Sequence, residues 1–218
     1  MRIAGLIAKL LLSLLLWPLA LGMVMALISA VSGPGMELKD PRVLSFFGGV
    51  GLYVLLQIFF WRPIFMYVLG HELTHALAAF IQGGEADHLH ASTQGGKVKV
   101  TRNNFVVSLA PYFFPIYTFF LLIALWISAD KFKLPVLFLL GMSLAFHLVL
   151  TTYSMREHQS DITEVGWLFA IPFILALNIA IVMFVFKQVV PEKVSFWDFC
   201  NTSLANILGM SRWLRGLF

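Results

Sequence analysis

Most charged side chains in this chain stand in polar interruptions between apolar runs of about twenty residues, the length an α-helix needs to cross the hydrocarbon core of a bilayer. Six such runs are legible, at residues 4–31, 43–61, 63–82, 105–128, 134–153 and 162–187. They predict an all-α polytopic protein, an integral, multi-pass component of a membrane, with the cell membrane as the expected location. The composition agrees: 60% of the 218 residues are hydrophobic and 12% charged, with a mean hydropathy of +0.87, too few Lys, Arg, Asp and Glu to clothe a soluble domain. The solvent for most of this chain is therefore lipid.

At the N-terminus a basic start, an apolar run and "AVS" before Gly33 imitate a secretory signal, but the run is too long for a signal's hydrophobic region, so a retained first helix is expected. Only "WRP" separates the second run from the third. Pro63 suits the first turn of a new helix and Arg62 an interface, which predicts a tight helical hairpin, with one long kinked helix as the alternative. Between residues 83 and 104, the turn signal Gln94-Gly95-Gly96 followed by Lys97-Val98-Lys99-Val100-Thr101 alternation predicts a β-hairpin over 85–101. Residues 154–161 are polar, and Asp161 and Glu164 have capping-box spacing before the last long run. In the tail, Trp197, Cys200, Leu204, Ile207, Leu208, Leu214 and Phe218 share one helical stripe, which predicts an amphipathic helix lying on the membrane surface.

Some classes are excluded. The net charge of +4 is modest, and the basic residues flank apolar runs instead of forming a stripe with aromatics, so no nucleic-acid footprint is present. A single cysteine, Cys200, rules out an intramolecular disulfide and any multi-cysteine metal site.

The chemistry is concentrated at "GHELTHA", residues 70–76, inside the third apolar run. With 3.6 residues per turn, His71 and His75 stand on one helix face and can direct ring nitrogens at the same ion, while Glu72 lies about 100° round the helix and can reach a water beside that ion. Zinc suits such a site, because it takes neutral imidazoles and lowers the pKa of water to about 7, leaving the glutamate to accept a proton as water attacks a carbonyl. The bland reading is a pair of hydrogen-bonded buried histidines with Glu72 as an ion-pair partner. An unpaired acidic group near mid-membrane costs roughly 3 kcal/mol, which favours a divalent cation.

A catalytic zinc site takes three protein ligands. The extended zincin pattern fails here, with Ala78 and Ile81 where a glycine and a third histidine would stand. If helices three, four and five each cross once, residues 83–104 and 154–161 lie on the same side, which makes Asp161 the first choice. It must dip toward His75, about 10 Å of helical rise below Gln82, so the preceding stretch is re-entrant or the sixth helix begins inside the bilayer. Asp161 as a plain N-cap is the competing reading. Glu157 and His158 are rival ligands, His158 is also open as a group orienting the substrate or stabilising the oxyanion, and His147 is an intramembrane histidine with either a functional or a packing role. His88 and His90, two apart on the expected hairpin, face one way and are open as a second metal site or as a solvated face.

These features resemble the site-2 protease family of intramembrane zinc metalloproteases. The resemblance rests on "GHELTHALAAFIQGG" at 70–84, the hairpin after it, "SLAPYFFP" at 108–115 and an aspartate at a later helix start, and it covers about residues 63–175. It implies one zinc per chain held by His71, His75 and Asp161, with Glu72 as general base and an edge strand that aligns a transmembrane protein substrate. The surroundings of the aspartate depart from the family's Leu-Asp-Gly with upstream Asn and Pro, reading "HQSDIT" here. The expected organisation is then one membrane domain over 1–218, with accessory helices at 4–61, a catalytic core at 63–187 and the interfacial helix at 195–218. Competing readings are an HtpX- or CAAX-type membrane zincin with a glutamate as third ligand, and a non-catalytic membrane protein that binds metal or client helices.

Overall fold

The computed structural model describes residues 3–33, 37–60, 62–156 and 160–215. Nine helices and one hairpin are formed among them: α1 (Ile3–Ser32), α2 (Pro41–Phe59), α3 (Ile64–Ile81), β1 (Ala86–Ser92), β2 (Gly95–Val100), α4 (Phe105–Phe113), α5 (Ile116–Ile127), α6 (Asp130–Arg156), α7 (Ser160–Val165), α8 (Trp167–Val189) and α9 (Phe196–Arg215). Within α1, α2, α3, α6 and α8 lie five stretches long and apolar enough to cross a membrane, and α4 with α5 makes a sixth as a bent pair. The chain is thus an all-α polytopic protein with a small antiparallel sheet, as its hydropathy predicts. Contacts divide it into two units, residues 44–165 and residues 1–43 with 166–218.

Two expected helices are broken. The run 105–128 bends by 64° between α4 and α5. Pro115 has no N–H to continue the ladder and pushes Phe114 out of the helical region, to φ −96° and ψ 105°. The run 162–187 is interrupted at Gly166, whose φ of 100° is open to glycine and strained for other residues. Asp161 therefore sits on a separate six-residue helix, α7, and not at the head of the long helix α8.

In the unit formed by residues 44–165, α2 and α6 approach backbone to backbone, since a Cβ on Gly49 would collide with the Phe138 carbonyl and one on Gly141 with that of Phe46. Small residues permit such crossings between apolar helices. The hairpin packs on α3, and its β1–β2 register slips by one residue between Asp87 and His90, where His88 takes a φ of 52°. Asn104 caps α4, its side-chain oxygen accepting from the N–H groups of Val106 and Val107.

In the other unit, α1 packs against α8 and α9. Gly22 lies so close to α9 that an added Cβ would stand 2.8 Å from both the Ser203 carbonyl oxygen and Ile207. The Asn206 amide donates to the Gly22 carbonyl at 3.2 Å. The tail helix is amphipathic as expected, burying Phe199 and Ser203 and exposing Trp197, Leu204, Leu208 and Trp213; the expected stripe position Leu214 has no described side chain and Phe218 lies outside the described residues. Arg42 bridges Asp40 and Glu192, and its hydrogen bonds hold the Asp40 carboxyl down at about 2.

Candidate metal centre

Helix α3 forms because apolar, helix-favouring residues run from Ile64 to Ile81 after Pro63. Its turn sets His71 and His75 one above the other, with Nε2 atoms 3.2 Å apart. Asp161 reaches the same point from α7, its Oδ2 standing 3.5 Å from each Nε2. Three donor atoms this close together could be shared by one small divalent metal ion. Among the described residues this is the one group of His, Cys, Asp and Glu side chains arranged to hold a metal ion.

The neighbours orient these donors. The Nδ1 of His75 is 2.9 Å from the Val107 carbonyl oxygen of α4, which fixes it as the protonated nitrogen and leaves Nε2 with its lone pair toward Asp161. The Tyr112 hydroxyl donates to Asp161 Oδ2 at 3.2 Å, and the Tyr112 ring meets that of His71 edge-on at 5.3 Å. Burial pushes the Asp161 carboxyl up, but its contacts with His71 and His75 prevail and hold it well below the usual carboxylate range. Asp161 is therefore an anion at neutral pH.

Glu72 is 7% exposed and lines the same cavity as the three donors, a space of about 350 Å³ that also touches Gly96, Val98, Asn103 and Ser160. The β2 main chain at Val98 lies beside the Glu72 carboxylate. Gly96 closes over it, for a Cβ there would stand 2.7 Å from Glu72 Cγ and 2.6 Å from Val68 Cγ1. Gly96, part of the turn signal in the sequence, thus also has a close-approach role.

Asn103 is a polar cavity residue that sequence reasoning passed over. The Ser108 hydroxyl donates to its Oδ1 at 3.0 Å, leaving the Asn103 NH₂ as a free donor for the cavity. The signal available in the sequence was weak: two adjacent asparagines before an apolar helix read as a cap, a role that Asn104 alone fills.

The other sequence candidates separate cleanly. His147 is buried on α6 outside the donor group, and the bulge at His88 breaks the strand alternation that would have aligned it with His90. Glu157 and His158 lie outside the described residues. No family model, curated protein or solved structure matches the chain.

Proposed function

We propose that the protein is an intramembrane zinc metalloendopeptidase that hydrolyses peptide bonds in or near transmembrane segments of other membrane proteins, in the manner of the site-2 protease family it resembles. The observation that carries this reading is the buried carboxylate of Glu72 in one cavity with the His71–His75–Asp161 group, on apolar helices. Two neutral imidazoles and one carboxylate are a ligand set that zinc accepts while keeping a further position open. When bound there, zinc supplies Lewis acidity to a carbonyl and acidity to water.

The chain's own residues do the rest. Asp161 provides the anionic donor and balances the ion's charge. Glu72, beside the β2 main chain, takes the proton from the attacking water and delivers it to the leaving amine. Asn103 donates its amide hydrogens to the substrate carbonyl oxygen, where negative charge develops. The hairpin offers its strand edge to an extended substrate segment, so the substrate helix must unwind locally before cleavage. On this reading the substrate is a transmembrane protein and the expected location is the cell membrane.

Among the described residues Glu85, Glu164 and Glu192 do not join the donor group, and Glu157, the remaining candidate for a glutamate third ligand of the HtpX or CAAX type, lies outside them. The test is zinc content and cleavage measured together on detergent-purified protein. About one zinc per chain is expected, with Glu72→Gln retaining zinc and losing cleavage, and His71→Ala or Asp161→Asn losing both. Cleavage by metal-free protein would overturn the proposal.

A further inference from the structure

The connection from α8 to α9 meets the last turns of α1 around a cavity of about 190 Å³. Lys193 and Ser195 line it from the connection, Asp198 and Thr202 from the first two turns of α9, and the buried side chains of Met183 and Phe199 make part of its apolar wall. Both α1 and α8 contain stretches long and apolar enough to cross a membrane, and both end here. Polar groups gathered where two such helices stop lie at the depth of the lipid headgroups. At about 30 Å³ for each water the cavity has space for roughly six, which is headgroup scale and far short of a whole lipid.

The protein itself uses these polar groups only in part. The ammonium of Lys193 pairs with Glu37 Oε1 at 2.9 Å, which engages one of its three N–H donors. Asp198 has no ion-pair partner among the described residues, and the Thr202 hydroxyl has no hydrogen-bond partner among them. The main-chain N–H of Asp198 donates to Ser195 Oγ at 3.2 Å, so the Ser195 hydroxyl keeps its own proton to give. Arg42 is committed to Asp40 and Glu192 and adds no free cation. With Glu37 counted, one cation and two carboxylates surround the cavity. That balance disfavours a purely anionic ligand and suits one that carries its own cation beside its phosphate.

We propose that this cavity binds the phosphoethanolamine headgroup of a phosphatidylethanolamine lipid. The phosphate accepts from Lys193 Nζ and from the hydroxyls of Ser195 and Thr202, and the primary ammonium donates to the Asp198 carboxylate, so that each charge of the ligand meets its opposite. A choline headgroup has no N–H to give Asp198, and a glycerol headgroup brings no cation, so the amine is the group that is selected. The acyl chains lie along exposed apolar residues of α1, among them Met25 and Ile28. The site is independent of the proposed peptidase activity, and a chain without zinc keeps it.

The experiment places the full-length protein in nanodiscs of equal parts phosphatidylethanolamine, phosphatidylcholine and phosphatidylglycerol and counts the retained lipids by native mass spectrometry. The wild-type chain is expected to retain the ethanolamine lipid about 10-fold over the other two. Asp198→Asn keeps the side chain's size and removes the ammonium's charged partner, so it is expected to erase that preference, a loss of about 10-fold, with circular dichroism and melting curve unchanged. Thr202→Val removes a phosphate donor without changing shape and is expected to lower retention of the ethanolamine lipid several-fold, which keeps the test decisive if the Asn variant folds poorly. Titration with soluble phosphoethanolamine separates the two sources of this group: weak binding that still depends on Asp198 supports the lipid, and binding as tight as the lipid's would reassign the cavity to a free solute and overturn the lipid assignment. Equal retention of the three lipids by the wild-type chain, enrichment of phosphatidylglycerol, or an unchanged preference in both variants would overturn the inference.

Discussion

Gly96→Ala isolates the contact between the hairpin and the proposed base. Gly96 is not among the glycines with positive φ, so alanine is conformationally allowed there and any effect comes from space alone. The added methyl would stand 2.6 Å from Val68 Cγ1, 2.7 Å from Glu72 Cγ and 2.9 Å from Glu72 Oε1. Carbon atoms rest about 3.5–4.0 Å apart, so roughly 1 Å of separation must be found. Val68 cannot yield easily, because a β-branched side chain on a helix has one strongly preferred rotamer. Either the strand lifts or the Glu72 carboxylate swings away from the strand. A displacement of about 1 Å at a reacting group lowers turnover by about 10²-fold, and overpacking of this size costs about 1–3 kcal/mol of stability. Cleavage of a panel of single-span reporter proteins, scaled to Glu72→Gln as zero, reads the first effect, and zinc content should stay at the wild-type level. Gly96→Ala cleaving at the wild-type rate would refute the claim that the hairpin holds the base in place.

Asn103→Ala is expected to reduce turnover by about 10²–10³-fold with zinc retained, and Ser108→Ala to act in the same direction more weakly by freeing the amide to rotate. Parallel zinc and cleavage assays check both. Tyr112→Phe deletes the hydroxyl that steadies Asp161, and zinc affinity should fall by about 10-fold or more in a chelator competition. Gly141→Ala places a methyl against the Phe46 carbonyl, which no rotamer change can relieve, so a loss of at least about 1–3 kcal/mol is expected in thermal or denaturant unfolding in detergent.

What could be read in advance tracks how local each signal is. The apolar runs and "HELTH" are patterns within one helix, and both survive in the fold because the helical repeat alone places His71 beside His75. Asp161 was reachable by arguing which connections share a membrane side. Its seat on a separate helix was not, because one glycine in an apolar run does not announce a left-handed backbone; only the φ of Gly166 does. Tyr112 and Asn103 carried no periodic signal, and Gly96 reads as an ordinary turn residue until α3 is packed beneath it. Their roles exist only in the juxtaposition of α3 with the hairpin, α4 and α7.

The two helix breaks explain why hydropathy finds the membrane and misses the site. Hydropathy measures whether a run is long enough to cross lipid, and it averages over a proline or a glycine within the run. Irregular backbone at membrane depth persists only where protein or a water-filled cavity satisfies it, and a cavity beside each break is one way to do so. Both breaks have one. The stretch Phe114–Pro115 borders a small cavity of about 20 Å³ that His71 also lines, and α7, the short helix ended at Gly166, presents Ser160 and Asp161 to the larger site cavity. His71 is the residue the two cavities share. A chain with uninterrupted helices over 105–128 and 162–187 would keep the same hydropathy profile and "GHELTHA" motif, but would lack the third donor beside the first two.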